Sequence, residues 1–349
     1  MTLPKTLFLG NGSSAVAWYR CALPATVLGC DWSGVIGQPP DAVVVTGRGN
    51  GRPLEVSGYD VVVVQLVKGR AWMRTIRRWQ EQGITVLYEI DDWLRGIRKL
   101  EHHAYKQHFD RASVESFELC MRAADGVICS TPWLAERYRG VNPRTWVCRN
   151  GIDLRRYAYD RPERAHVGIG WAGGTGHLAS ARPWMREIAA VMEQRPRTRF
   201  VSVGAPFGGS FAAKLGAERA LCVPFLPLEA YPAVMTHFDV AVAPAGQGGF
   251  FKGKSDLRWL EAGALGIPLI ADPQVYPDVE HGVTGFHAAT PAEARELLLE
   301  LVDDEALRRR VGEAARQHVT RHRSIEVAAQ SWAAVLREAH EPSAARPAA

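Results

Sequence analysis

From Gly246 to Glu261 the chain reads GQGGFFKGKSDLRWLE, a basic glycine loop running into a helix that carries one acidic residue. Glycines let main-chain amides approach an anion closely, and Lys252 and Lys254 add positive charge beside them. Ser255 is the expected start of the helix, where unpaired N–H groups and the positive end of the macrodipole favour a phosphate. Glu261 follows six residues after Ser255. At about 1.5 Å of rise per residue its carboxylate stands about 9 Å from that start, within reach of ribose hydroxyls while a diphosphate stays on the loop. The chemistry that fits this spacing is the binding of a nucleoside diphosphate.

Taken singly, Ser255 is also an ordinary N-cap, the lysines an ordinary solvated loop and Glu261 an ordinary surface residue. The continuation favours the ligand. Leu257, Leu260, Ala264 and Leu265 make an apolar helix face, and Gly266-Ile267-Pro268 turns into the strand Leu269–Ala271. A loop, helix, turn and buried strand in succession form an α/β unit with its ligand at a strand's C-terminal edge.

The segment KSDLRWLEAGALGIPLIA, followed by HGVTGF, resembles the donor-binding region of retaining GT-B glycosyltransferases, in particular glycosyltransferase family four. The resemblance implies a glutamate at Glu261 on the donor ribose, and Lys252, Lys254 and Ser255 on the diphosphate. Many members of that family carry a second glutamate eight residues upstream; that position is Gly253 here, and a Lys254-Ser255 pair beside it is similar to a variant of the family. Asn150-Gly151-Ile152-Asp153 with Tyr157 resembles the N-G-[IV]-D-x-x-x-[FY] element that joins the two domains of such enzymes.

Three further segments place chemistry at strand ends. Gly10-Asn11-Gly12-Ser13-Ser14 follows the first strand, with Ala15 at the third position of a G-x-G-x-x-G pattern, a weak dinucleotide signal by itself. In GT-B enzymes this turn, here Gly12, approaches the donor phosphates and sugar. Gly170 to His177 is again strand into glycine loop, and the resemblance gives Gly173, Gly174 and Thr175 to the phosphates and the backbone from Val223 to Phe225 to the base. The arginine common in that loop is absent, so His177 or Lys252 is expected to supply its charge. Tyr88-Glu89-Ile90-Asp91-Asp92 ends a buried strand in carboxylates, which at that edge point into a ligand crevice. It is similar to the Y-E-x-D-D pattern of some family members, which implies that Asp91 or Asp92 orients a sugar hydroxyl or the acceptor nucleophile. The rival reading of Glu89-x-Asp91 as a metal-binding D-x-D is set aside, because Glu89 and Ile90 lie inside the strand pattern and a second nucleotide-binding half follows; no metal site is expected.

Short β-branched runs without strict alternation recur between helices, as parallel strands buried on both faces require. They fall at Thr6–Gly10, Val43–Val45, Val61–Val67, Ile84–Ile90, Gly126–Ser130 and Thr145–Arg149, then at Val167–Trp171, Phe200–Gly204, Leu221–Val223, Val240–Ala243 and Leu269–Ala271. The expected fold is α/β of the GT-B type, two doubly wound Rossmann-like domains with a cleft between them. The expected spans are 1–155 for an acceptor domain, 165–322 for the donor domain, 324–340 for an amphipathic helix returning to the first domain, and a disordered tail over 341–349.

With 349 residues, 47% hydrophobic and 23% charged, the chain can bury two ordinary cores. Six cysteines without a CxxC pair read as reduced, buried thiols. No signal peptide or long apolar run is recognised, so a cytoplasmic protein is expected. The net charge of +5 is compatible with anionic ligands or with peripheral contact at the inner membrane surface. Lys68, Arg70, Arg74, Arg77 and Arg78 share one helix, and Arg95, Arg98 and Lys99 follow a later loop. Trp72, Ile76 and Trp79 recur at helical spacing and are expected to pack inward, leaving those cations a solvated face.

The function these features imply is retaining, metal-independent transfer of a sugar from a nucleoside diphosphate sugar, UDP or GDP first, to an acceptor hydroxyl, with no further cofactor. Polysaccharide, lipid-linked sugar, protein and modified nucleic acid all fit as acceptor. A catalytically silent nucleotide-sugar-binding protein and a dinucleotide-dependent oxidoreductase are the alternatives; the second lacks a complete glycine fingerprint.

Overall fold

The computed structural model describes residues 2–12, 14–37, 43–45, 52–53, 55–97, 109–205 and 207–341. Ser13, Arg98, Lys99 and the expected tail beyond Glu341 lie outside the described residues. The chain divides into two compact units, which it joins at Gly151–Ile152 and again at Ser324–Ile325.

The first unit is built on strands β1 (Thr6–Asn11), β2 (Asp31–Ile36), β3 (Val43–Val45), β4 (Arg52–Pro53), β5 (Val61–Gln65), β6 (Thr85–Ile90), β7 (Gly126–Cys129) and β8 (Thr145–Val147). Their order is β4-β3-β2-β1-β5-β6-β7-β8. From β2 to β8 neighbours run parallel, and β3 and β4 extend the β2 edge antiparallel. The order reverses direction between β1 and β5, the place where open α/β sheets bind ligands. Sequence reading carried β5 on to Val67, but the strand ends at Gln65 because Leu66 turns into the left-handed region at φ 52°. It also passed over β2, whose Asp31 and Ser33 break the apolar run, and the two-residue β4.

Helices cover the sheet because their apolar residues repeat at 3.6-residue spacing. In Arg70–Glu81 this spacing buries Trp72, Thr75, Ile76 and Trp79. The last helix, Ile325–His340, belongs to this first unit. Its Trp332, Val335, Leu336 and Ala339 share a core with Phe8, Val61, Val63, Leu87 and Ile128, and the Trp332 ring meets Phe8 edge-on at 5.6 Å. No described helix is long and apolar enough to cross a membrane.

Beneath the strand ends lies a buried polar chain. Gln65 Oε1 accepts from the Asn11 amide at 3.0 Å, and its Nε2 donates to Glu89 Oε2 at 2.7 Å. Arg20 Nε donates to Glu89 Oε1 at 2.6 Å, and its Nη1 donates to the Cys148 carbonyl at 2.6 Å and to Asn150 Oδ1 at 2.9 Å. Arg20 is 1% exposed and Glu89 is fully buried, so neither charge has water to fall back on. Arg20 comes from Trp18–Ala22, a widened π-helical turn between Ala15–Ala17 and Leu23–Leu28. Such single π turns re-aim side chains within an otherwise regular helix.

The second unit carries β9 (Val167–Gly173), β10 (Thr198–Gly204), β11 (Ala220–Val223), β12 (Val240–Ala243), β13 (Leu269–Ala271) and β14 (Phe286–His287). The sheet order is β11-β10-β9-β12-β13-β14, all parallel. This is the dinucleotide-fold order, with its reversal between β9 and β12. Ile169, Trp171, Phe200, Val240 and Ile270 form its core with Trp184, Ile188 and Leu298. The two-residue β14 exists only through its pairing with β13, so local pattern did not announce it.

Because the Arg20–Glu89 pair is buried, removing one partner strands the other. Glu89→Leu is expected to destabilise the first unit by about 3–5 kcal/mol in urea unfolding. The double variant Arg20→Met/Glu89→Leu is expected to lose clearly less than the sum of the single changes; an additive loss would show that the pair is not coupled.

Candidate functional site

Strand β9 ends at Gly173, beside Gly204 at the end of β10. A Cβ on Gly204, whose φ is +95°, would lie 2.6 Å from the Gly173 carbonyl oxygen, and the Ala205 amide donates to that oxygen at 2.8 Å. The two strand ends therefore touch backbone to backbone. A Cβ on Gly173 would lie 2.8 Å from Arg258 Nη2, which puts a guanidinium on this loop. The Phe225 ring, 69% exposed, would be 3.5 Å from a Cβ on Gly174 and 3.2 Å from one on Gly204. Gly173, Gly174, Phe225 and Arg258 are thus one constellation. Thr175 opens a short 3₁₀ turn, Thr175–His177, with Gly174 at its N-cap.

The helix bearing Glu261 runs Leu257–Ala264, so Ser255 does not open it as expected; Asp256 occupies the N-cap. Asp256 makes no capping bond, because its carboxylate is gripped by Arg323, whose Nη2 donates at 2.8 Å. Ser255 is half-buried in the link from a separate helical turn, Gly249–Lys252. The amides of Lys252, Gly253 and Lys254 donate to carbonyls at Gly248, Gly249 and Phe251, so that stretch spends these amides on its own turn. What Lys252 and Lys254 still have to offer an anion is their side-chain charge. Lys252 is exposed, while Lys254 is half-buried with Nζ 4.5 Å from the centre of the Phe250 ring. Gly246 is required here, since a Cβ would meet the Phe251 ring at 2.4 Å.

Glu261 is 6% exposed, and Tyr231 donates its hydroxyl to Glu261 Oε2 at 3.4 Å. Burial, and then the Glu261 carboxylate, push the Tyr231 hydroxyl well above its ordinary range, so it stays a proton donor at neutral pH. Burial likewise raises Tyr276 to about 12, with Arg258 pulling the other way. The helix is fixed in place by Trp259, which donates from Nε1 to the Thr284 carbonyl at 2.9 Å. HGVTGF thereby anchors the helix that carries Glu261. Leu257 of the expected apolar face is only half-buried, its place taken by Trp259 and Ala262.

In the first unit Gly10 admits the helical turn after it, since a Cβ would stand 2.9 Å from the Ala17 Cβ; Gly12 turns the chain at φ +66°. Asp91 and Asp92 follow β6, both half-buried. Their carbonyls are held, Asp92 by the Tyr138 hydroxyl at 2.8 Å and Asp91 by Ser130 Oγ at 3.4 Å. Trp93 packs edge-on against Trp133 and Tyr138. Glu89 of the same motif serves Arg20. Gly12, Asp91 and Asp92 thus sit in the first unit, and Gly173, Gly174, Thr175, Phe225, Lys252, Lys254, Ser255 and Glu261 in the second. Of the six cysteines, all free, four are buried as expected, while Cys30 is half-buried and Cys222 exposed.

Arg258 and Tyr231 escaped sequence reading. Arg258 lies three residues before Glu261 in the recognised segment, and that helical spacing was the available signal; Tyr231 lies in no motif. The positive charge expected at this loop from His177 or Lys252 comes instead from the Arg258 guanidinium, which lies against Gly173. Arg258→Ala is expected to weaken nucleoside diphosphate binding by about 1.5–3 kcal/mol with an unchanged circular dichroism spectrum. Unaltered affinity in calorimetry would make Arg258 a packing residue.

Residues 182–334 match the model of a family described as glycosyl transferase-like. No curated protein matches the chain in sequence. Among solved structures, HepE from Anabaena in complex with UDP and glucose superposes with a TM-score of 0.67 at 16% identity, covering 96% of this chain and 99% of that one. A glycosyltransferase from Rickettsia africae gives 0.63 at 12% identity, covering 97% and 100%. A Listeria monocytogenes protein described as a candidate UDP-N-acetylglucosamine 2-epimerase gives 0.57 at 12% identity, covering 97% and 98%. The chain has the GT-B fold, and its residues 182–334 are similar to the glycosyl transferase-like family.

Proposed function

We propose that the protein is a retaining glycosyltransferase that moves a sugar from a nucleoside diphosphate sugar, with UDP the favoured nucleotide, to an acceptor hydroxyl. The observation that carries this reading is the buried Glu261 carboxylate, on the helix whose Arg258 reaches the Gly173 loop. A carboxylate held in place and backed by Tyr231 suits two ribose hydroxyls, and a guanidinium at a glycine loop suits a diphosphate. Arg258 and Lys254 would stabilise the negative charge that grows on the departing diphosphate, the role a metal plays elsewhere. Phe225 offers an aromatic face for the base, and Asp91 or Asp92 orients the acceptor hydroxyl. UDP is supported by HepE, which was solved with UDP and glucose. Retention rests on the likeness of KSDLRWLE to family four.

The glycosyl transferase-like match over residues 182–334 favours transfer over epimerisation, which the same fold also hosts. A panel of UDP-, GDP-, ADP- and dTDP-sugars separates the readings. Transfer releases nucleotide only with an acceptor present and leaves the product sugar with the donor's anomeric configuration by NMR. Silence with every donor, together with no thermal shift, overturns the enzyme reading.

Glu261→Ala is expected to weaken UDP binding by about 1.5–3 kcal/mol, the range of a charged hydrogen bond. Turnover is expected to persist in EDTA. Loss of activity in the chelator, restored by Mg²⁺ or Mn²⁺, would replace the arginine and lysine account with a metal one.

A further inference from the structure

A cavity of about 1060 Å³ opens in the second unit where Val167 and Asp239 lead into β9 and β12, at the opposite strand ends from Gly173. Its wall is rich in arginine, and much of that charge is cancelled. Arg195 holds Asp303 through two hydrogen bonds of 2.6 Å, Arg309 pairs with Glu305 and Arg316 with Glu313. Arg161, Arg164 and Arg308 differ from these. Among the described residues Asp239 is the single carboxylate that pairs with them, 2.6 Å from Arg161 and 3.7 Å from Arg164.

The remaining bonds of these three arginines go to carbonyls. Arg161 donates to Gly266 and Phe238, Arg164 to Thr236, and Arg308 to Leu301 and Val302. Carbonyls satisfy donors without neutralising the cation. Three donor atoms, Nε of Arg161 and Nε and Nη1 of Arg164, are buried with no hydrogen-bond partner among the described residues. Each such atom has given up its solvation and gains nothing in return unless something accepts from it. The same field is felt by His166 on the wall and by His237 beside it. Burial and then Arg199 and Arg164 hold both imidazoles below their usual range, with Asp239 opposing.

We propose that this cavity is a second anion site, distinct from the nucleotide loops, which takes a phosphate group on Arg161, Arg164 and Arg308. Forked guanidinium donors match the oxygens of a tetrahedral phosphate, and three cations sharing one carboxylate favour a multiply charged ligand over chloride. The phosphate belongs either to a soluble phosphorylated compound or to an anionic lipid headgroup, two sources with one chemistry.

The test follows the imidazole signals of His166 and His237 by NMR in the full chain titrated with inorganic pyrophosphate. Saturable shifts of both are expected, absent from a sodium chloride titration at matched ionic strength. The apparent affinity is expected to fall at least tenfold in Arg164→Gln and Arg308→Gln, and to be unchanged in Arg258→Ala. Shifts that chloride reproduces, or variants that bind as the parent does, overturn the proposal. If either variant fails to fold, the comparison of pyrophosphate with chloride on the unaltered chain decides alone. Sedimentation with phosphatidylglycerol vesicles, with phosphatidylcholine vesicles as control, identifies the source. Binding that pyrophosphate competes away assigns the site to a headgroup; saturable pyrophosphate binding without sedimentation assigns it to a soluble phosphate.

Discussion

A buried guanidinium is the constraint on which the first unit is arranged. Arg20 has left water entirely, and its charge is tolerable only because Glu89 answers it at 2.6 Å while Cys148 and Asn150 accept from the far side of the fork. Each of these partners sits at or just beyond a strand end, on β6, after β8 and at the domain junction. Through Glu89 the chain of bonds continues to Gln65 on β5 and to the amide of Asn11 on β1. A slip of any of these strands would break a bond inside a medium that offers no substitute. The glycine turn after β1 and the Asp91-Asp92 pair after β6 are the two chemical features of this unit, and the same network fixes the strands that present them. The Arg20 guanidinium also lies 5.0 Å from the centre of the Trp332 ring, so the last helix closes over the charge.

The second unit solves the corresponding problem with small residues and one buried ion pair. Gly173 and Gly204 let two strand ends meet through backbone alone. Gly263 lets the helix Glu305–His322 approach so closely that a Cβ would stand 2.8 Å from Val319 Cγ2. Arg323, at the end of that helix, grips Asp256 at the start of the helix bearing Glu261. The position of Glu261 is thus set from three directions, by Arg323 through Asp256, by Thr284 through Trp259 and by Tyr231 directly. A carboxylate so restrained loses little further freedom on accepting a ligand's hydroxyls, which is what preorganisation means for binding.

The distribution of cations around the second sheet has a logic of its own. At the C-terminal strand ends Arg258 and Lys254 stand beside glycines, where a ligand can come close. At the N-terminal ends the arginines are bound to carbonyls of helix ends and turns, which fixes their geometry and leaves their charge in force. The same residue type therefore stands once beside a glycine loop and once in a positively charged wall.

The sequence by itself determined the α/β class, the repeated strand-into-glycine turns and the recognisable segment around Glu261, because these depend on local patterns: β-branched runs, glycines at turns and carboxylates at strand ends. It also pointed to Gly12, Gly173, Gly174 and Glu261, through the segments in which they stand and not through their residue types alone. Only the tertiary structure decided where the helix of Glu261 begins, since Asp256 takes the N-cap while committed to Arg323, a residue 67 positions away. It alone showed that Arg258 supplies the cation of the Gly173 loop and that Glu89, read within a motif of three acids, is the buried partner of Arg20. The short strands β4 and β14 were likewise invisible, being made by pairing with a neighbour. The physical reason is common to all of these: charge pairing, close backbone approach and edge pairing join residues distant in the chain, and no local pattern encodes which distant residue will arrive.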